Sequence, residues 1–108
     1  MDAETFRRHA HELVDWMADY ARNVEDLPVL AKVSPGDILS RLAPSPPEQG
    51  EPFERIMADF DSIIMPGMTH WQSPNYFAYF NANNSFASIL AEMLTATLGA
   101  QCMSWIPS

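Results

Sequence analysis

The chain has 108 residues, 47% of them hydrophobic and 11% aromatic, with a formal net charge of −8. That length allows one small domain, and that apolar content excludes a disordered chain. The six basic residues, Arg7, Arg8, Arg22, Lys32, Arg41 and Arg55, are scattered, which argues against a nucleic-acid partner.

Asp2 is placed to cap a first helix over about residues 2–23. Phe6, Ala10, Leu13, Val14, Met17 and Ala21 fall on one face of it, and Trp16 and Tyr20 widen that stripe. Glu4, Arg8 and Glu12 step along the other face at the spacing of helical ion pairs. A helix of about 22 residues is roughly 33 Å long, more than so short a chain can cover, so a second chain is expected to cover the rest. Leu27 to Val33, broken by Pro28, reads as an extended segment laid over a surface. Ser34-Pro35-Gly36-Asp37 is a turn, and a short helix through Ile38, Leu39 and Leu42 is expected after it. Residues 43–52 hold four prolines, one glycine and two acids, a semi-rigid linker.

A second helix is expected over about 52–65, with Phe53, Ile56, Met57, Phe60, Ile63 and Ile64 on one face and Met65-Pro66-Gly67 ending it. A third is expected over about 85–99, capped by Asn83, Asn84 or Ser85 and stopped by Gly99. It is apolar on nearly every side, the pattern of a helix buried on more than one face. Phe86 to Leu98 is nevertheless too short to span a bilayer, which needs about 20 residues. The fold class is therefore all-α: three main helices joined by extended linkers. No membrane partner is expected, and the single cysteine, Cys102, suits a reducing cytoplasm.

Between the last two helices lies His70-Trp71-Gln72-Ser73-Pro74-Asn75-Tyr76-Phe77-Ala78-Tyr79-Phe80. Pro74 breaks any helix there, and so many rings need something to pack against. The segment is either a core plug or the wall of a pocket. Chemistry is sparse around it. None of the four glycines builds a phosphate loop, and the three histidines with Cys102 do not make a metal spacing. His9 and His11 are expected to be solvated, His70 packed and hydrogen-bonded, Asp59 and Asp61 a charged face, and Cys102 a small buried residue. Lys32 is a poor Schiff-base candidate. No residue in this chain is expected to be catalytic.

The aromatic segment, preceded by Ile64-Met65-Pro66-Gly67-Met68-Thr69, resembles the N-terminal region of the pyridoxal-phosphate-dependent group II amino-acid decarboxylases. The aromatic branch and its related aldehyde synthases are the nearest in pattern. Phe6-Arg7-Arg8, Val14-Asp15-Trp16, Val33-Ser34-Pro35-Gly36, Ile89-Leu90-Ala91-Glu92-Met93-Leu94 and Ser104-Trp105 extend the resemblance over essentially the whole chain. It implies the N-terminal, dimer-wrapping segment of a fold-type I enzyme that works as a homodimer on an aromatic amino acid. Trp71, Tyr79 and Phe80 would line the side of the pocket that holds the substrate ring. The cofactor lysine would lie beyond Ser108, so the 108 residues alone are expected to be an inactive piece. Asn81, Ala82, Gln101 and Met103 depart from residues common in the family near the substrate. The competing expectation is a stand-alone helical dimerisation module without catalysis.

Overall fold

The computed structural model describes residues 1–80, 82–99 and 103. Asn81, Gln101, Cys102, Ser104 and Trp105, singled out above, lie outside the described residues. Among those described, the structure is helical with no strand: α1 (Ala3–Asn23), α2 (Asp37–Arg41), α3 (Phe53–Asp59) and α4 (Phe86–Leu98). Contacts divide the chain into two units, Met1–Phe77 and Ala78–Ser108.

α1 begins where its cap dictates. The Asp2 carboxylate accepts the Thr5 backbone N–H at 2.8 Å, and that bond holds the carboxyl below the ordinary aspartate value. The expected ladder of Glu4, Arg8 and Glu12 does not form. Arg7 instead reaches back to Glu4 at 2.9 Å, while Arg8 faces Glu54 at 3.4 Å. Neighbouring α3 supplies a carboxylate that a single-helix reading cannot include.

The helix rests on part of the stripe that its apolar residues trace, widened toward His9. At 3.6 residues per turn, His9, Leu13, Trp16 and Tyr20 share one ridge, and they lose exposure against their own chain together with the adjoining Ala10 and Met17. Phe6 and Val14, on the neighbouring arc, stay open. After α1 the chain makes a short 3-10 turn, Val24–Asp26, and runs out in extended form from Leu27. Asp37 closes the expected turn twice: its carboxylate accepts the Ser34 N–H at 2.7 Å, and its own N–H reaches the Ser34 carbonyl at 3.1 Å. Gly36 supplies the left-handed residue, φ 93°, that this turn requires.

The second expected helix is not one α-helix. α3 gives way after Asp59 to a π turn, Phe60–Ile64, and then to a 3-10 turn, Met65–Gly67. Pro66 explains much of this. In an α-helix the donor to the Ser62 carbonyl would be residue 66, and proline has no N–H to give. The Met65 N–H bonds the Phe60 carbonyl in π register, and the Ser62 carbonyl is taken by the Arg41 guanidinium at 2.7 Å. α2 thus packs on the π turn through a bond that replaces a helical one. Gly67 lets the two come close, since a Cβ there would lie 2.7 Å from the Ile38 Cγ1.

In the second unit, α4 carries a reciprocal cap. The Ser85 hydroxyl accepts from the Ser88 N–H at 3.2 Å, and the Ser88 hydroxyl accepts from the Ser85 N–H at 2.9 Å. Serine does here what Glu or Gln usually does in a capping box. Gly99 ends the helix in the left-handed conformation. The expectation that α4 is buried on more than one face fails for this chain: none of its residues is buried. Phe86, Leu90, Leu94 and Leu98, one turn apart, remain exposed.

The Arg41 bond yields a test. Arg41→Ala should lower the stability of the chain by about 1 kcal/mol, the typical net worth of one hydrogen bond. Arg41→Lys should recover only part of that, because the flexible ammonium replaces a planar donor. Thermal unfolding followed by circular dichroism reads both, and unchanged midpoints would show that solvent serves the Ser62 carbonyl equally well.

Candidate functional site

The segment from His70 to Tyr76 is fixed from below by α1. Trp16 stacks on Tyr20 one turn later, with centroids 5.5 Å apart and planes 4° from parallel. It meets Phe60 of the π turn edge-on at 5.4 Å and donates its indole N–H to Asp61 at 3.0 Å. Asp61 is therefore more than part of a charged face: it accepts the one polar hydrogen of a large aromatic residue. Asp59 stays on the surface, 3.8 Å from Arg55.

Tyr20 carries the row of rings on to His70. The phenol oxygen lies 2.9 Å from the imidazole Nδ1, with the ring centroids 5.6 Å apart. Burial pushes the Tyr20 phenol above its ordinary value of 10.0, and its hydroxyl can donate to Nδ1 in the tautomer that leaves this nitrogen unprotonated. His70 is buried, as expected of a packed and hydrogen-bonded residue. Its backbone N–H bonds the Val29 carbonyl at 3.0 Å, which ties the extended segment after Pro28 to the aromatic stretch.

Two residues follow as the corner of a turn. The Ser73 N–H closes it onto the His70 carbonyl at 3.0 Å. Ser73 is also buried, and its hydroxyl accepts the Asn75 N–H at 3.2 Å. Trp71 sits at the apex of this turn, 44% exposed, and stacks on Tyr76 with centroids 4.9 Å apart. A cavity of about 230 Å³ opens beside His70, walled by Leu27, Pro28, Met65, Pro66 and Met68.

Of the three expected pocket residues, Trp71 belongs to the first unit and Tyr79 and Phe80 to the second. Tyr79 has a positive φ of 58°, uncommon for an aromatic residue. The Tyr79 and Phe80 side chains are 83% and 108% exposed. Phe77 is also largely exposed, so of the two alternatives for this stretch these three rings do not form a core plug within the chain. Within this chain, Trp71 and Tyr76 find each other, whereas Phe77, Tyr79 and Phe80 project outward. Ala82 and Met103 are exposed as well.

His9 is a correction. It was expected to be solvated, yet it is only 4% exposed. Its Nδ1 lies 3.0 Å from Glu12 and its Nε2 3.5 Å from Glu54, with the Phe53 ring 4.9 Å away. The ridge of α1 that rests on α3 passes through position 9, and that cannot be read from a helix taken alone. His11 is exposed, as expected. Sequence reasoning also missed Tyr20 as the partner of His70. The available signal was its place one turn after Trp16 on the same ridge.

Comparison with known proteins follows the same lines. A family model described as the pyridoxal-dependent decarboxylase conserved domain matches residues 35–108. The chain is 51% identical to a phenylacetaldehyde synthase of Petunia hybrida, covering 100% of this chain and 21% of that protein. The crystal structure of Oryza sativa TDC with PLP and tryptamine superposes with a TM-score of 0.92 at 38% identity, over 100% of this chain and 23% of the other. The Catharanthus roseus tryptophan decarboxylase in complex with L-tryptophan gives 0.90 at 44% identity, again over 100% and 23%. The chain thus spans about a fifth of the length of the curated relatives it matches.

The Tyr20 environment makes a measurable difference. Its phenol should ionise above the ordinary tyrosine range, and ultraviolet difference titration should show a late step that Tyr20→Phe removes. The sign for stability follows: the raised value contributes stability that is fully present below pH 10.0 and lost as pH rises through the folded value. A titration with no late step would show that the phenol is not desolvated in solution. The matched family model, the relatives and the shared helical fold agree, and the chain belongs to the pyridoxal-dependent decarboxylase family.

Proposed function

We propose that this chain is the N-terminal segment of a pyridoxal-phosphate-dependent carboxy-lyase that acts on an aromatic L-amino acid in the cytoplasm. It supplies the homodimer interface and one aromatic wall of the substrate pocket. The observation that carries this reading is the aromatic turn, with Trp71 half exposed at the apex and its two ends, His70 and Ser73, buried. Such a turn presents a flat ring to a ligand while its own backbone is held. Trp71, Tyr79 and Phe80 are the substrate-binding residues in this reading, and relatives solved with L-tryptophan and with tryptamine support an aromatic ligand.

In this reading the lysine that carries the cofactor lies outside this chain. Lys32, the one lysine of the chain, is exposed in the extended segment, without the enclosing walls that a Schiff-base amine needs. When bound elsewhere, pyridoxal phosphate supplies an electron sink for the carbanion left by carbon dioxide loss. The work of this chain is to bind and orient the ring of the substrate and to exclude water from it. Ring contact of that kind is worth about 0.5–1.5 kcal/mol beyond area burial, which suits selection among substrates more than bond cleavage.

The homodimer is supported by apolar surface that this chain leaves open. Phe6 and Val14 on α1, and Phe86, Leu90, Leu94 and Leu98 on α4, are all exposed. No helix among the described residues is long and apolar enough to cross a membrane, so these faces suit a protein partner. The acidic balance and scattered cations argue against a nucleic acid. The 51% identity to a phenylacetaldehyde synthase favours one second reading of the reaction, an oxidative one in which dioxygen and water are consumed and the aldehyde leaves with carbon dioxide, ammonia and hydrogen peroxide in place of the amine.

The test is to give the full-length protein tryptophan, tyrosine, phenylalanine and a non-aromatic amino acid, with product identified by mass spectrometry. Carbon dioxide with the corresponding arylethylamine is expected, and the aldehyde would select the second reading. Trp71→Ala should raise KM for the aromatic substrate about three- to tenfold, following the ring-contact energy. Turnover of non-aromatic amino acids alone would refute the aromatic assignment.

A further inference from the structure

We propose that Tyr20 is a positioning residue for the aromatic wall: by holding the His70 imidazole, its hydroxyl sets the angle at which Trp71 is presented to substrate. This rests on the reading of Trp71 as a pocket wall given above. Three bonds fix His70. Its N–H is held by the Val29 carbonyl at 3.0 Å and its carbonyl by the Ser73 N–H at 3.0 Å, while its ring is held by Tyr20 at 2.9 Å. The first two locate the backbone. The third governs the rotation of the side chain and, through it, the set of the turn whose next residue is Trp71.

The burial pattern gives this its leverage. His70 and Ser73, the two ends of the turn, are 5% exposed each, while Trp71 between them is 44% exposed. Buried ends and an open apex make a bracket, and a bracket transmits a small rotation at its base to the ring at its tip. Tyr20 is well placed to hold that base. Its ring is already fixed by the parallel stack on Trp16, and Trp16 is in turn pinned by Asp61 at 3.0 Å. The row Asp61–Trp16–Tyr20–His70 therefore runs from the π turn through α1 to the residue before Trp71. A phenylalanine at position 20 would satisfy the stack and the ring contact with His70 equally well. Only the hydroxyl is reserved for the imidazole.

The test is a cycle in the full-length enzyme, with KM and kcat for an aromatic amino acid measured for Tyr20→Phe, Trp71→Ala and the double variant. Tyr20→Phe is expected to raise KM about three- to tenfold, the range of one buried hydrogen bond, with kcat within about twofold. In the Trp71→Ala background the same change should add nothing. Equal effects in both backgrounds, or none in the first, would overturn the proposal and leave Trp71 as a wall residue. An unchanged KM for Trp71→Ala alone would instead remove the wall reading, and the proposal with it. Two further variants guard against a fold that fails. His70→Asn, whose amide reaches the position of Nδ1, should keep KM near the parent value. His70→Leu should raise it, and identical KM values for these two would also overturn the proposal.

Discussion

The indole of Trp16 is the point around which the first unit is arranged. It stacks on Tyr20, takes the edge of Phe60 and spends its only donor on Asp61. One side chain therefore couples α1 to the π turn by shape and by a hydrogen bond together. Each contact is modest alone, about 0.5–1.5 kcal/mol for a ring pair and a similar amount for the bond. What they provide jointly is a fixed orientation. Tyr20 then has one available direction, toward His70, and His70 carries the turn that begins at its own carbonyl.

The interior of the chain is unusual in what it buries. Among the described residues, the most enclosed are His9, Val24, His70 and Ser73, three polar and one apolar. A small domain that stands on a hydrophobic core shows the opposite balance. Buried polar groups are tolerated when they are bonded, and each of the three is: His9 to Glu12, His70 to Tyr20, Ser73 to Asn75. Such bonds confer geometry more than net stability. The apolar driving force resides in residues this chain leaves open, among them Phe6, Ile56, Leu90 and Leu94. Exposed apolar residues of that kind, in either unit, suit an interaction surface. The chain's own contacts hold residues in register, and the proposed dimer is where most of its apolar area would leave water.

What was legible in the sequence was local. The Asp2 cap, the Ser34–Asp37 turn, the Pro28 interruption and the Gly99 stop are each written in a few adjacent residues and lie where they were expected, and the cap of α4 falls on Ser85, one of three candidates. Interactions across the chain were not legible. Trp16 and Asp61 are 45 residues apart, and Tyr20 and His70 are 50 apart. No periodicity within a helix encodes which helix it will meet. The same limit explains His9, whose neighbours Phe53 and Glu54 come from α3. The π turn sits between these extremes. Pro66 announces that a helix must end, but the way it ends depends on Arg41 being near enough to take the Ser62 carbonyl. For the candidate site, the family resemblance carried the ring residues. The support beneath them needed coordinates.

This division has a consequence for α1. Its wide apolar arc reads, in sequence, as a single stripe, but the structure splits it into two. The ridge His9–Leu13–Trp16–Tyr20 and the adjoining Ala10 and Met17 turn inward, and an outer flank with Phe6 and Val14 stays exposed. Neighbouring arcs of a rigid helix cannot move independently, since the crossing of packed helices is set by interlocking side chains. A partner seated on the outer flank would therefore constrain the inner ridge, and the inner ridge ends at the tyrosine that holds His70. In the proposed dimer the helix that joins two subunits would thus also be the helix that sets the aromatic wall. Assembly and substrate fit would share one element, with no residue of the reaction itself on it.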